Sequence, residues 1–166
     1  MSLAEPLSDD LRVLYQDLIL DHGRSPRNFR VVEHPTCKAQ GNNPMCGDRV
    51  NVTARVSPAG LLEDIAFEGK GCAISIASAS MMSEALAGKS VPDAHLLYAT
   101  VHALCTGKID ADQAKAAVPA AMGESVDKLA SLSGVRQFPM RVKCATLPWH
   151  ALISCLDGQS QATTEK

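Results

Sequence analysis

No two cysteines in this chain are spaced Cys-x-x-Cys, so its six cysteines do not declare a metal site by spacing alone. An excess of one charge is also missing. The net charge of -2 argues against a nucleic-acid surface and against a membrane surface. No apolar run approaches the length of a membrane span. The opening Met1-Ser2-Leu3-Ala4-Glu5-Pro6 has neither a basic segment nor an apolar one, so secretion is not expected and a cytoplasmic protein is. Cysteines in that compartment are expected to be reduced: ligands, nucleophiles or small buried hydrophobes, not disulfides. Internal repeats and a second domain are absent from the pattern. With 166 residues, 46% hydrophobic and 20% charged, the chain is read as one globular domain over 1–166, its core at 8–157 between flexible tails.

What is present is a set of three cysteines in sharply punctuated turns. Cys46 lies in Asn42-Asn43-Pro44-Met45-Cys46-Gly47-Asp48, Cys72 follows Glu68-Gly69-Lys70-Gly71, and Cys144 closes Phe138-Pro139-Met140-Arg141-Val142-Lys143. Glycine and proline fix special backbone angles and so aim a neighbouring side chain. Three thiols presented in this way, with Asp48 beside Cys46, resemble a metal or sulfur site more than a core.

The rest of the chain reads as strands followed by helices. Ser8 can cap a helix over about 9–22, whose Leu11, Leu14, Tyr15, Leu18 and Ile19 follow helical spacing. An irregular strand near 36–42 precedes a hairpin. Residues 50–56 alternate apolar and polar, Ser57-Pro58-Ala59-Gly60 turns, and residues 61–67 return. Cys72 opens a small-residue helix that reaches Leu86 and stops at Gly88; a second helix covers about 92–105; one or two short ones fall in 107–128. A last helix runs to about Leu156, and Gly158 to Lys166 reads as a polar tail. Pro148 cannot bond the Cys144 carbonyl, so that helix is expected to start at or after Cys144 or to be distorted there. The fold class is α+β: a small three-stranded antiparallel sheet with helices on one face.

Four motifs together resemble the IscU/NifU-like scaffold family, and within it the SufU branch. They are Asp21-His22-Gly23-Arg24-Ser25-Pro26-Arg27-Asn28, the Asn43-Pro44-Met45-Cys46-Gly47-Asp48 turn, Gly69-Lys70-Gly71-Cys72 before a Ser/Ala helix, and Arg141-Val142-Lys143-Cys144-Ala145-Thr146-Leu147. The match runs in order from residue 14 to 156. The insert around 107–128, and Lys143 where scaffold members carry a histidine, select the branch. The resemblance implies zinc held by Cys46, Asp48, Cys72 and Cys144. It implies persulfide sulfur taken from a cysteine desulfurase of the SufS type and passed to downstream iron–sulfur assembly proteins. Cys46 would accept the sulfur, and Arg141 would stabilise the added negative charge. Cys46, flanked by Pro44 and Gly47 on a loop, can leave the metal with the least loss of packing. Two alternatives stay open: a scaffold that builds a [2Fe–2S] cluster on the same residues, and a purely structural zinc domain. True scaffolds have two adjacent prolines in the chaperone-recognition stretch; Phe138-Pro139-Met140 departs from that. A monomer is expected.

Three thiolates and a carboxylate suit tetrahedral zinc, and Lys70, Arg141 and Lys143 stand beside the ligands in sequence to offset their charge. Cys37, Cys105 and Cys155 read as small buried hydrophobes. Cys155 falls on nearly the same helix face as Cys144, but about 16 Å along it at 1.5 Å per residue. His150 reads as a satisfied histidine, His95 and His102 as one helix edge, and His22 as a helix C-terminal contact. Met81-Met82 reads as core.

Overall fold

The computed structural model describes residues 9–45 and 47–163; Ser8, the expected cap, and Cys46 lie outside the described residues. Helix α1 spans Asp9–Arg24. Three strands follow: β1 Cys37–Asn43, β2 Asp48–Val56 and β3 Leu62–Lys70. Then come α2 Ala73–Leu86, α3 Val91–Cys105, α4 Ala111–Ala116, α5 Gly123–Leu129, a 3-10 stretch Ala130–Gln137, and α6 Pro139–Leu156. A short strand β4, Gln161–Thr163, ends the described chain. None of the described helices is long and apolar enough to cross a membrane.

The sheet has four strands in the order β3-β2-β1-β4, and β4 is parallel to β1. The expected three-stranded antiparallel sheet is therefore a mixed one. The antiparallel part is as expected, but residues 161–163, within the stretch read as a tail, add the fourth strand. Nothing in Gln161-Ala162-Thr163 alternates strongly enough to mark a strand. Its partner is the open edge of β1, which only tertiary packing supplies.

The pairing register shows which side chains face the helices. Ala39 opposes Val52, Gly41 opposes Val50, and Asn43 opposes Asp48; across β2, Val52 opposes Phe67 and Ala54 opposes Ile65. Side chains alternate along a strand, so Asn43 and Asp48 share the face of buried Val50, Val52 and Phe67. Helix α6 lies across that face. A Cβ on Gly41 would come within 3.0 Å of Leu147 and 3.1 Å of Ala151, so glycine lets the helix approach β1 closely. The stripe Cys144, Leu147, Ala151, Cys155 thus runs along β1, with Cys144 near its Asn43 end and Cys155 near its Cys37 end.

That arrangement overturns one expectation directly. Cys37 and Cys155 form a disulfide, with Cα atoms 5.3 Å apart across 118 residues of sequence. Cys105 keeps the bland reading: it is fully buried, and burial pushes its thiol up to about 12.

Helix α6 also differs from expectation. It starts at Pro139, five residues before Cys144, and continues through Pro148. Pro139 occupies the first turn, where a proline costs nothing, and Phe138 before it is extended. Pro148 sits inside the helix and is buried, so packing outweighs the missing hydrogen bond to the Cys144 carbonyl. Cys144 is consequently on the second turn of a helix and not on a loose start.

Helix α2 is buried on nearly all sides, with Met81 and Met82 in the core as expected. Its serines are the connectors. Ser78 Oγ donates to the Ala145 carbonyl at 2.5 Å and accepts from Trp149 Nε1 at 3.1 Å. Ser80 Oγ meets His22 Nδ1 at 2.7 Å and accepts from the Arg27 N–H at 2.9 Å; Asn28 Nδ2 donates to Ser83 Oγ at 2.9 Å. The Asp21–Asn28 motif is therefore a latch onto α2, and His22 contacts Ser80 where a helix-end contact was expected. Burial pushes the His22 imidazole below its ordinary value. Ser78→Ala is expected to cost about 1–3 kcal/mol, because it strands the buried indole N–H. A lower denaturation midpoint at unchanged slope checks it.

Candidate metal centre

The sheet, α2 and α6 meet at one end of the molecule. Asp48 opens β2 and is buried at 3% exposure; Cys144 is equally buried on α6; Cys72, the residue before α2, is exposed. One carboxylate oxygen and the two sulfurs all lie within 4.8 Å of one another. Of the four ligands the resemblance implies, the structure brings these three together. Cys46 lies outside the described residues.

Local sequence explains each position. Gly69 and Gly71 are both required by close approach. A Cβ on Gly69 would sit 2.2 Å from the Arg49 carbonyl oxygen, and one on Gly71 would sit 2.9 Å from Asp48 Oδ1. The Gly69-Lys70-Gly71 run thus lets β3 press against β2 and leaves room for the carboxylate. The Cys72 N–H donates to Asp48 Oδ1 at 3.1 Å, and Cys72 Sγ lies 3.7 Å from Oδ2. Asp48 is held by backbone and faces both thiols.

Asn43 belongs to the turn motif, but motif reading assigns it no role of its own. It is fully buried, and its side-chain oxygen accepts from the Met45 N–H at 3.2 Å. Its backbone carbonyl accepts from the Gly47 N–H at 2.8 Å, and Gly47 takes φ 73, which suits glycine. Its amide nitrogen points at Cys144 Sγ, 4.0 Å away. One residue therefore holds the Met45 and Gly47 N–H groups and faces a candidate ligand. The signal was its register opposite Asp48, which needed the strand pairing.

The chemistry of the donor set fits a thiophilic divalent ion. As a free thiol Cys144 is pushed well up, first by burial, then by its hydrogen bond to Asp48 and by neighbouring Cys72. A cation among these donors works in the opposite sense, since a coordinated thiol is deprotonated outright. Of the residues expected to offset charge, Lys70 is exposed at the end of β3 and Lys143 is half-buried on α6. Arg141 is exposed, with its guanidinium 5.2 Å from the centre of the Phe138 ring. Among the described residues no histidine joins this donor group. His150 Nδ1 meets the Tyr98 hydroxyl at 3.1 Å, as a satisfied histidine should, and His95 faces Asp157 at 3.8 Å.

Comparison with known proteins fits this geometry. The model of the NifU-like N-terminal domain matches residues 14–145. The chain belongs to that family. Among curated relatives, this NifU-like chain is 39% identical over 145 residues to the zinc-dependent sulfurtransferase SufU of Bacillus subtilis, covering 86% of this chain and 89% of that one. It is 35% identical over 152 residues to the iron–sulfur cluster assembly scaffold protein IscU of Streptococcus pyogenes, covering 92% and 88%. A crystal structure from Fervidobacterium islandicum, of a candidate iron–sulfur assembly scaffold for the SUF system, superposes with a TM-score of 0.71. It is 28% identical, covering 87% of this chain and 98% of that one. The α+β IscU/NifU-like fold is thereby established for the NifU-like chain.

Proposed function

We propose that this protein is a zinc-dependent sulfur acceptor of iron–sulfur cluster assembly, taking persulfide sulfur from a cysteine desulfurase. The observation that carries this reading is the convergence of Asp48, Cys72 and Cys144, with Cys46 two residues before Asp48 in sequence. Those four residues would hold zinc, which when bound keeps the thiols as thiolates at neutral pH. Asp48 keeps its carboxylate in place through the Cys72 N–H, and the Asn43 side chain holds the Met45 N–H.

Cys46 is the acceptor in this proposal. Its thiolate attacks the outer sulfur of the partner's persulfide. The S–S bond of that persulfide breaks, a new one forms on Cys46, and the partner cysteine leaves as a thiolate. No electrons are gained or lost overall. Arg141, exposed on the first turn of α6, offsets the negative charge that arrives with the sulfur. The carboxylate of Asp48 in the donor set argues against a purely structural site, which more usually has four cysteine or histidine ligands. A cytoplasmic monomer that hands sulfur to downstream assembly proteins completes the proposal.

The scaffold reading rests on the similarity to the streptococcal protein. Metal analysis of protein purified without oxygen separates the two. The proposal expects a colourless protein with one zinc per chain; brown protein with iron and sulfide would replace it with the scaffold reading. A finer test uses Gly71→Ala, whose methyl group would press on the Asp48 carboxylate. It is expected to weaken zinc retention roughly 10–100-fold, as loss of supporting contacts around a metal typically does. Competition with a chromogenic chelator reads the effect.

A further inference from the structure

The Cys37–Cys155 disulfide is not used by the sulfur chemistry, and its surroundings are unlike those of a sealed cross-link. Cys155 is buried at 1% exposure, but Cys37 is half-buried. Both border a cavity of about 370 Å³ between the start of β1 and the chain leaving α6, with exposed Thr36, Lys38 and Gln159 also on its walls. Lys38 adds a positively charged residue to the lining, and a neighbouring cation favours a thiolate.

The bond also stands where it controls a weakly held segment. After Cys155, α6 ends and Gly158, at φ 79, turns the chain back. Residues 161–163 then pair with 40–42, and the Gln40 N–H donates to the Ser160 carbonyl at 2.9 Å. A three-residue strand has little stability of its own. The same segment walls a second cavity of about 500 Å³, against Asn42 and Pro44 of the site turn and His150 of α6.

We propose that Cys37–Cys155 is a reducible clasp, opened in the folded protein by a dithiol reductant entering the smaller cavity, and that its opening frees residues 158–163 from the edge of β1. One thiolate of the reductant attacks the sulfur of half-buried Cys37. The Cys37–Cys155 bond breaks, and Cys155 leaves as a thiolate and takes up a proton. The second thiol of the reductant then attacks the mixed disulfide and releases Cys37. Two electrons pass from the dithiol, which is itself oxidised to a disulfide. The clasp lies at the far end of β1 and α6 from the candidate metal centre, so this proposal stands independently of the sulfur-acceptor reading.

The experiment uses the full chain, air-oxidised, with dithiothreitol as the dithiol and no denaturant. Non-reducing peptide mapping should first find Cys37 joined to Cys155. After dithiothreitol, both should become alkylatable while the circular dichroism of the helices is kept. Hydrogen exchange at the Gln40 amide should then rise about tenfold or more as its partner strand frees. The double variant Cys37→Ser/Cys155→Ser should show the fast exchange without reductant. Absence of the Cys37–Cys155 peptide, reduction only after unfolding, or unchanged exchange at Gln40 on reduction would each overturn the proposal.

Discussion

Cys72→Ala should purify without zinc and melt well below the parent protein. Cys72 is exposed, so its loss removes almost no packing, and any fall in stability must come through the metal. Metal that binds only the folded chain stabilises it by mass action, about 4 kcal/mol when present at a thousand times its dissociation constant. For a domain of this size that corresponds to roughly 8–16 °C in melting temperature. Cys144→Ala should lose the metal as well. Cys144 is buried against the sheet, so its variant should also be less stable than the Cys72 one when both are metal-free. Chelator treatment of the parent separates the contributions: it should bring the parent down to Cys72→Ala, but not to Cys144→Ala. Zinc at one per chain and an unchanged melting temperature in Cys72→Ala would remove Cys72 from the site.

Cys46→Ser should reduce sulfur acceptance to background and end stimulation of the desulfurase, while some zinc remains. The remaining metal follows from geometry: Asp48, Cys72 and Cys144 converge without it. The lost acceptance follows from chemistry. A serine hydroxyl is hardly ionised at neutral pH and is a poor nucleophile toward sulfur, whereas a thiolate is a good one. Desulfurase turnover measured with the parent, with Cys46→Ser, and with zinc-stripped parent separates the roles. The variant and the stripped protein should both fail, and only the stripped protein should recover on adding zinc. Normal stimulation by Cys46→Ser would show that Cys46 is not the acceptor.

Much of this architecture was legible before any coordinates. The alternation in 50–56 and the turn at Ser57-Pro58-Ala59-Gly60 define a hairpin whose pairing is Arg55 with Asp64 and Val52 with Phe67. The glycines before Cys72 and the small-residue run after it mark the strand-to-helix junction where Cys72 sits. These are local signals. What could not be read is what needs elements to meet. β4 exists because β1 has an open edge, which no local pattern announces. The clasp joins residues 118 apart, and only the lie of α6 along β1 brings them together. Cys155 could be placed on the Cys144 face of the helix by spacing, yet its partner at the other end of β1 could not. Asn43 belongs to the same class: its role at Cys144 depends on strand register and helix placement together. Pro148 misled for a different reason. The rule against a mid-helix proline is energetic, and the burial of the whole 144–149 stretch outweighs it here.

The most direct measurement is the position of the transferred sulfur. The zinc-loaded protein is reacted with a cysteine desulfurase and cysteine, alkylated, and its peptides sequenced by tandem mass spectrometry. One added sulfur on the Cys46 peptide is the predicted result, in the parent and in Cys37→Ser/Cys155→Ser alike. Added sulfur on Cys37, Cys105 or Cys155, with Cys46 unmodified, would contradict the account.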